Sequence, residues 1–150
     1  MKLYIDGDAF PNLLKPIIVR AIERLKLTTI VVSNKRIYLG ESKHISYIIV
    51  GAGPDEADNK IVEMVEEGDL VITADIPLAD HIITKNGHAI DHRGGLFTEA
   101  NIKQYLTMRN FMQEIRDSGE RTKGPAPLSQ KDAHGFANQL DQFLTKHISR

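Results

Sequence analysis

Five aspartates stand where short apolar segments of this chain stop. Asp6 and Asp8 flank Gly7 directly after Lys2–Ile5, Asp55 and Asp58 follow Ile45–Val50, and Asp75 follows Leu70–Thr73. Carboxylates that converge repel one another unless they share protons or a cation. A hard divalent ion such as Mg²⁺ or Mn²⁺ prefers oxygen ligands and is the natural neutraliser. The chemistry these residue types offer is the binding of such a cation by several carboxylates at one place. The absence of cysteine removes thiol catalysis, thiolate metal sites and disulfides together.

Each aspartate also has a plain structural use. Asp6 and Asp8 can form a turn, with Asp8 capping the helix that follows. Asp55 can be the N-cap of its helix, Asp58 a first-turn acid, and Asp75 the cap of a helix containing Pro77. What joins them is position. In open parallel α/β sheets ligands bind beyond the carboxyl ends of the strands, and three strand ends deliver carboxylates to that edge. Asp80 lies further along its helix and reads as a solvated charge.

Two other residues are substrate-binding candidates. Asn34, after Ser33 and beside Lys35 and Arg36, can orient a substrate or simply turn the chain. Arg93 in Arg93-Gly94-Gly95 can present a bidentate fork to phosphate while glycine lets the backbone approach. The alternative use of Arg93 is an ion pair within the fold. His81, His88 and His92 have no metal-ligand spacing on one helix face and read as surface residues. There is no P-loop, no GxGxxG and no Ser-His-Asp spacing.

The elements that must position these groups are legible in the apolar periodicity. Strands are expected at Lys2–Ile5, Thr28–Val32, Ile45–Val50 and Leu70–Thr73, with a short fifth at Ala89–Ile90. Leu13, Leu14, Ile17, Ile18, Ala21, Ile22 and Leu25 recur at helical spacing, with Pro16 early enough to be absorbed. Further helices are expected over Asp55–Glu67 and Ile76–Lys85. Alternating strands and helices imply a parallel sheet of four or five strands with the first strand inside. The strands are nearly all apolar, as expected when helices cover both faces. The last third reads as a helix around Thr98–Ser118, a loop with Gly119, Gly124, Pro125 and Pro127, and a second helix opening at Ser129. Asp132, three residues on, makes a capping-box-like start. The expected architecture is one domain over 1–150, with 98–150 a helical extension docked on the α/β core.

Bulk properties narrow the partners. At 150 residues, with 41% hydrophobic and 26% charged residues, the chain has the composition of a single globular domain. MKLYIDGDAF places acids where a signal peptide needs its apolar stretch, and no apolar run approaches membrane-spanning length. The expectation is a cytoplasmic protein without a membrane partner. Net charge is −1, with 11 basic and 14 acidic residues up to position 97 and 8 and 6 thereafter. Any nucleic-acid partner must therefore be held by a local basic patch.

The strings DGDAFP (6–11), PDEADNKIV (54–62), GDLVITADIPLA (68–79), Arg93-Gly94, LTMRNFM (106–112) and GPAPLSQKD (124–132) together resemble the YaiI/YqxD family of uncharacterised bacterial proteins. That family is similar to PIN-domain nucleases. The resemblance covers nearly the whole chain, and TADIPLA is its most specific string. The first motif departs from the usual DADACP pattern, with Gly7 for alanine and Phe10 for cysteine, and keeps both carboxylates. Any cysteine chemistry of the family could not operate here.

The resemblance implies a three-layer PIN-like α/β fold and an acidic pocket. At the matching positions Asp6, Asp8, Asp58 and Asp75 would hold Mg²⁺ or Mn²⁺, with Asp55 beside them, for phosphodiester hydrolysis, single-stranded RNA being the favoured substrate. Two rivals stand beside it. A haloacid-dehalogenase-type phosphatase shares the two aspartates after strand one and a serine, Ser33, after strand two, but needs an insertion where Pro11 and a helix follow at once. A non-catalytic RNA- or protein-binding module would differ from a nuclease in its indifference to Mn²⁺.

Overall fold

The first apolar segment is the middle of the sheet. In the computed structural model, which describes residues 1–120 and 126–148, β1 (Leu3–Asp6) is buried at every position. It pairs in parallel with β2 (Thr29–Ser33) on one side and β4 (Leu70–Ile72) on the other, Ile5 standing opposite both Val31 and Ile72. β2 pairs in parallel with β3 (Ile45–Ile49), and β4 with β5 (His88–Ile90). The sixth strand, β6 (Leu96–Phe97), is antiparallel to β5, and the order is β3-β2-β1-β4-β5-β6. This is the mainly parallel α/β sheet expected, with one strand more. β6 is only two residues long, too short to show a period, and reaches β5 through the turn Asp91–Gly95.

Helices cover both faces. A 3-10 turn (Asn12–Leu14) leads from extended Pro11 into α1 (Lys15–Leu25), where Pro16 sits at the second position and gives up no helical hydrogen bond. α2 (Glu56–Met64) stops three residues short of the expected Glu67. Val65 turns extended, and Gly68 takes φ 87° to bring the chain into β4. α3 (Ile76–Thr84) and α4 (Glu99–Asp117) follow, the latter opened by a reciprocal Thr98–Asn101 capping box. α5 (Gln130–Ile148) begins as its sequence suggests. The Asp132 N–H donates to Ser129 Oγ at 3.2 Å, and the Ser129 N–H donates back to Asp132 Oδ2 at 3.0 Å. Gly124 and Pro125 of the expected loop lie outside the described residues.

Three layers result. α1 and α5 share one face with Leu3, Ile5, Val31, Leu70 and Ile72, and Phe136, Leu140, Phe143 and Leu144 of α5 are buried there. Burial of each such side chain contributes about 1.5–3 kcal/mol. α2 and α3 cover the other face over Tyr4, Val32 and Val71. α4 joins α3 through Ile102 beside Ala79, Ile83 and Phe97. Its later apolar residues are less covered: Met112 and Ile115 are half-buried, and Met108 and Phe111 are exposed. Among the described residues no helix is long and apolar enough to cross a membrane.

Candidate functional site

From β1 the sheet grows outward in both directions, to β2 and β3 on one side and to β4, β5 and β6 on the other. The crevice beyond the carboxyl ends of β1 and β4 is the switch point at which such sheets bind ligands. Asp6 ends β1 and Thr73 follows β4, so the two meet across it. Thr73 Oγ1 donates to Asp6 Oδ2 at 2.9 Å and accepts from the Asp75 N–H at 3.0 Å. Asp75 Oδ1 accepts from the Leu78 N–H at 2.9 Å, capping α3. Asp75 therefore fills its structural role and faces the crevice as well.

Asp8 ties two strand ends together, its Oδ1 accepting from the Asn34 N–H at 2.8 Å. Gly7 between the two acids is tightly packed: a Cβ there would meet Ile37 Cδ1, Ser33 Cβ and Val31 Cγ1 at 3.0 Å. Asp58, in the first turn of α2, hydrogen-bonds through its side chain to Asp75. Asp6, Asp8, Asp58 and Asp75, with Ala9, Pro54, Ala57, Ala74 and His92, line one cavity of about 250 Å³.

The electrostatics follow from this crowding. Burial, joined by the charges of Asp75 and Asp6 and by the hydrogen bond to Asp75, pushes the Asp58 carboxyl up to about 7. Asp6, 9% exposed, is raised to about 6, chiefly by burial. The Thr73 hydrogen bond opposes that rise, and the Asp8 and Asp75 charges add to it. The Asp58 carboxyl therefore keeps its proton into the neutral range.

The other sequence candidates are placed differently. Asp55 is exposed at the N-cap of α2 without a capping bond from its side chain, and lines a neighbouring cavity with Asp58, Asn59 and His81. Its link to the site is the charge it adds beside Asp58. Asn34 enters through its backbone N–H. Arg93 takes the structural option: its guanidinium donates to the Asp132 carboxylate and to the Ala126 carbonyl, and it does not line the acidic cavity. Gly94, at φ 92°, lies so close to α5 that a Cβ would meet the Gly135 carbonyl oxygen at 2.4 Å.

His92, expected at the surface, instead lines the acidic cavity. It is half-buried in the β5–β6 turn, its ring edge-on to Phe10 at 5.6 Å, and its Nε2 is buried without a hydrogen-bond partner. Burial lowers its pKa, so the imidazole is neutral at pH 7. The strand-end rule that located Asp6 and Asp75 also points to His92, two residues beyond Ile90. It lies in a turn, where helix-face spacing carries no signal.

A divalent cation suits these groups in donor type. Four carboxylates face one cavity, and two of them, Asp6 and Asp58, are raised by burial and by the charges of their neighbours. As they stand, however, no three His, Asp or Glu side chains among the described residues are already gathered as the ligands of a metal ion. The side chains are arranged as the Asp58–Asp75 pair, with Asp6 bonded to Thr73 and Asp8 to Asn34. Directly after Asp8 the chain passes through Phe10 and Pro11 into the 3-10 turn and α1. The insertion that haloacid-dehalogenase chemistry requires is therefore missing.

Comparison with known proteins agrees with the motifs. The family model described as "Uncharacterized BCR, YaiI/YqxD family" matches residues 4–146. The chain belongs to the YaiI/YqxD family. It is similar to a UPF0178 protein of Sulfurimonas denitrificans, 67% identical over 148 residues, 99% of this chain and 98% of that one. A UPF0178 protein of a Sulfurovum species is 64% identical over 98% of this chain and 99% of its own, and one of Syntrophotalea carbinolica 49% identical over 99% and 100%. No solved structure gives a significant match.

Proposed function

We propose that this YaiI/YqxD protein is a divalent-metal-dependent phosphodiester hydrolase acting on nucleic acid, with single-stranded RNA the first substrate to try. The observation that carries the reading is the convergence of Asp6, Asp8, Asp58 and Asp75 on one cavity at the switch point. A proton on Asp58 and a cation neutralise the same repulsion, so one can replace the other. Asp6, Asp8, Asp58 and Asp75 would hold Mg²⁺ or Mn²⁺, and Asp55 would add negative charge at the rim. When bound, such an ion lowers the pKa of water and offsets charge on a phosphoryl oxygen. His92, neutral in the same cavity, is in the state that accepts a proton.

The test incubates short RNA and DNA oligonucleotides with Mn²⁺ or Mg²⁺, comparing the native protein with Asp6→Asn purified identically. Metal binding is followed separately by the rise in Tm that native-state binding produces. Cleavage by the native protein alone is expected. Equal cleavage by both preparations means a contaminant. Metal binding without cleavage would replace this reading with the non-catalytic RNA- or protein-binding module.

A further inference from the structure

We propose a nucleobase-binding pocket on the β2–β3 side of the acidic cavity, an inference that rests on the nucleic-acid reading above and names how a strand would be gripped. Ser33, Arg36, Ile37, Tyr38, Tyr47 and Ile49 line a depression of about 290 Å³. Tyr38 is 60% exposed, Ile49 54% and Tyr47 39%, three large apolar side chains grouped on one patch. Soluble proteins rarely leave such a group uncovered without a binding role.

The patch is built as well as exposed. Tyr47 and Ile49 are two residues apart on edge strand β3, so they share one face of it. The Tyr47 hydroxyl accepts from the Leu39 N–H at 3.0 Å, which fixes the ring before any ligand arrives. The Tyr38 hydroxyl donates to Glu41 at 3.3 Å. Lys35 and Arg36 are exposed beside them. Among the described residues the ion pairs are those of Arg24, Lys60 and Arg93, so neither Lys35 nor Arg36 has an acidic partner. Aromatic faces beside unpaired cations hold a base by stacking and its phosphate by charge. An apolar peptide would leave those cations unanswered.

Pocket and acidic site are two sides of one loop. Ser33 lines the pocket, and the next residue gives its N–H to Asp8. Ile37 packs against Gly7, between the two site aspartates. A base seated on Tyr38 and Tyr47 would leave its backbone leading past Asn34 towards Asp8. A base inside a duplex has both faces already stacked, so the ligand is a single strand.

The chain has no tryptophan, and two of its four tyrosines, Tyr38 and Tyr47, line the pocket, so a change in tyrosine emission on binding that is altered in Tyr38→Ala reports on it. The experiment titrates eight-nucleotide adenine RNA, adenine DNA and an abasic strand of equal length, in EDTA and again in Ca²⁺. Binding of both adenine strands should quench emission. Tyr38→Ala should weaken it about tenfold, leave abasic binding unchanged and be rescued by Tyr38→Phe. Arg36→Ala should reduce the salt slope by about 0.7, one phosphate contact on a single strand. A preference between RNA and DNA would mark a 2′-hydroxyl contact.

Octamer affinity unchanged in both Tyr38→Ala and Arg36→Ala, or no octamer binding by the native protein in either buffer, overturns the pocket. So does a dimer that Tyr38→Ala dissociates with octamer binding intact, since β3 would then be covered by a second copy. The two readings fail separately. Cleavage by the native protein that Tyr38→Ala leaves unaltered removes the pocket and keeps the hydrolase. Tyr38-dependent binding without cleavage in Mn²⁺ does the reverse.

Discussion

The Thr73 hydroxyl stands between Asp6 and Asp75, donating to the Asp6 carboxylate at 2.9 Å and accepting from the Asp75 N–H at 3.0 Å. One side chain thus holds the end of β1 and the start of α3 in fixed relation. Thr73→Val keeps the volume but leaves a buried carboxylate oxygen and an N–H without that partner. It should cost about 1–3 kcal/mol in urea unfolding. It should also move the Asp6 carboxyl further above about 6, because the lost hydrogen bond is the larger of the two that oppose its rise, the other coming from the Asp8 backbone. Carboxyl ¹³C shifts followed against pH measure this, and an Asp6 titration that stays put or falls contradicts the arrangement.

Asp58 gives stability a distinctive pH dependence. Its folded pKa of about 7 lies above the usual aspartate value of about 3.9. Between those values the native state holds a proton that the unfolded chain has released. The stability from the neutral form is complete below about pH 4 and is lost as pH rises through about 7. Asp58→Asn, uncharged throughout, should therefore match the native protein at pH 4 and exceed it at pH 8. With solvent screening at this half-exposed site the gain should be on the order of 1–2 kcal/mol. Urea titrations at the two pH values settle the sign.

Gly94 and Gly68 separate backbone strain from collision. Both have φ near +90°, but a Cβ on Gly68 meets nothing within 4 Å, whereas one on Gly94 meets the Gly135 carbonyl oxygen at 2.4 Å. Gly68→Ala should cost about 1 kcal/mol for the left-handed conformation alone. Gly94→Ala should cost roughly 2–4 kcal/mol, because α5 must also move away from the β5–β6 turn. Equal Tm losses for the two variants would mean that the turn does not bear on α5.

His88 links α5 to acidity. Its ring lies 4.9 Å from Phe143 and 4.8 Å from His147, and burial first, then His147 and Lys146, lowers its pKa. On acidification below about 6.5 the unfolded chain takes up this proton before the native state does. The stability His88 contributes is therefore present above that pH and lost as pH falls through its folded value. His88→Phe keeps the ring contact and removes the titration. Relative to the native protein it should gain stability as pH falls from 7.5 to 5.5, read from Tm at each pH.

Much of this fold is local, and local properties survive in the sequence. Unbroken apolar runs such as Leu70–Ile72 declare strands covered on both faces, and the spacing of Leu14, Ile18, Ala21 and Ile22 declares a helix with one buried side. Because side chains at strand ends fall on one edge of a parallel sheet, the gathering of Asp6, Asp8, Asp58 and Asp75 could be read before any coordinates. Tertiary structure decided the rest. Whether Arg93 meets phosphate or Asp132 depends on a helix 39 residues away, and neither residue's neighbours in the chain encode that choice. β6 is too short to carry a period. The place of His92 in the cavity comes from a turn that carries it to the ends of β1 and β4, which no local pattern announces. Asp58 and Asp75 meet only because α2 and α3 pack on the same face of the sheet, a contact set by long-range packing rather than by spacing.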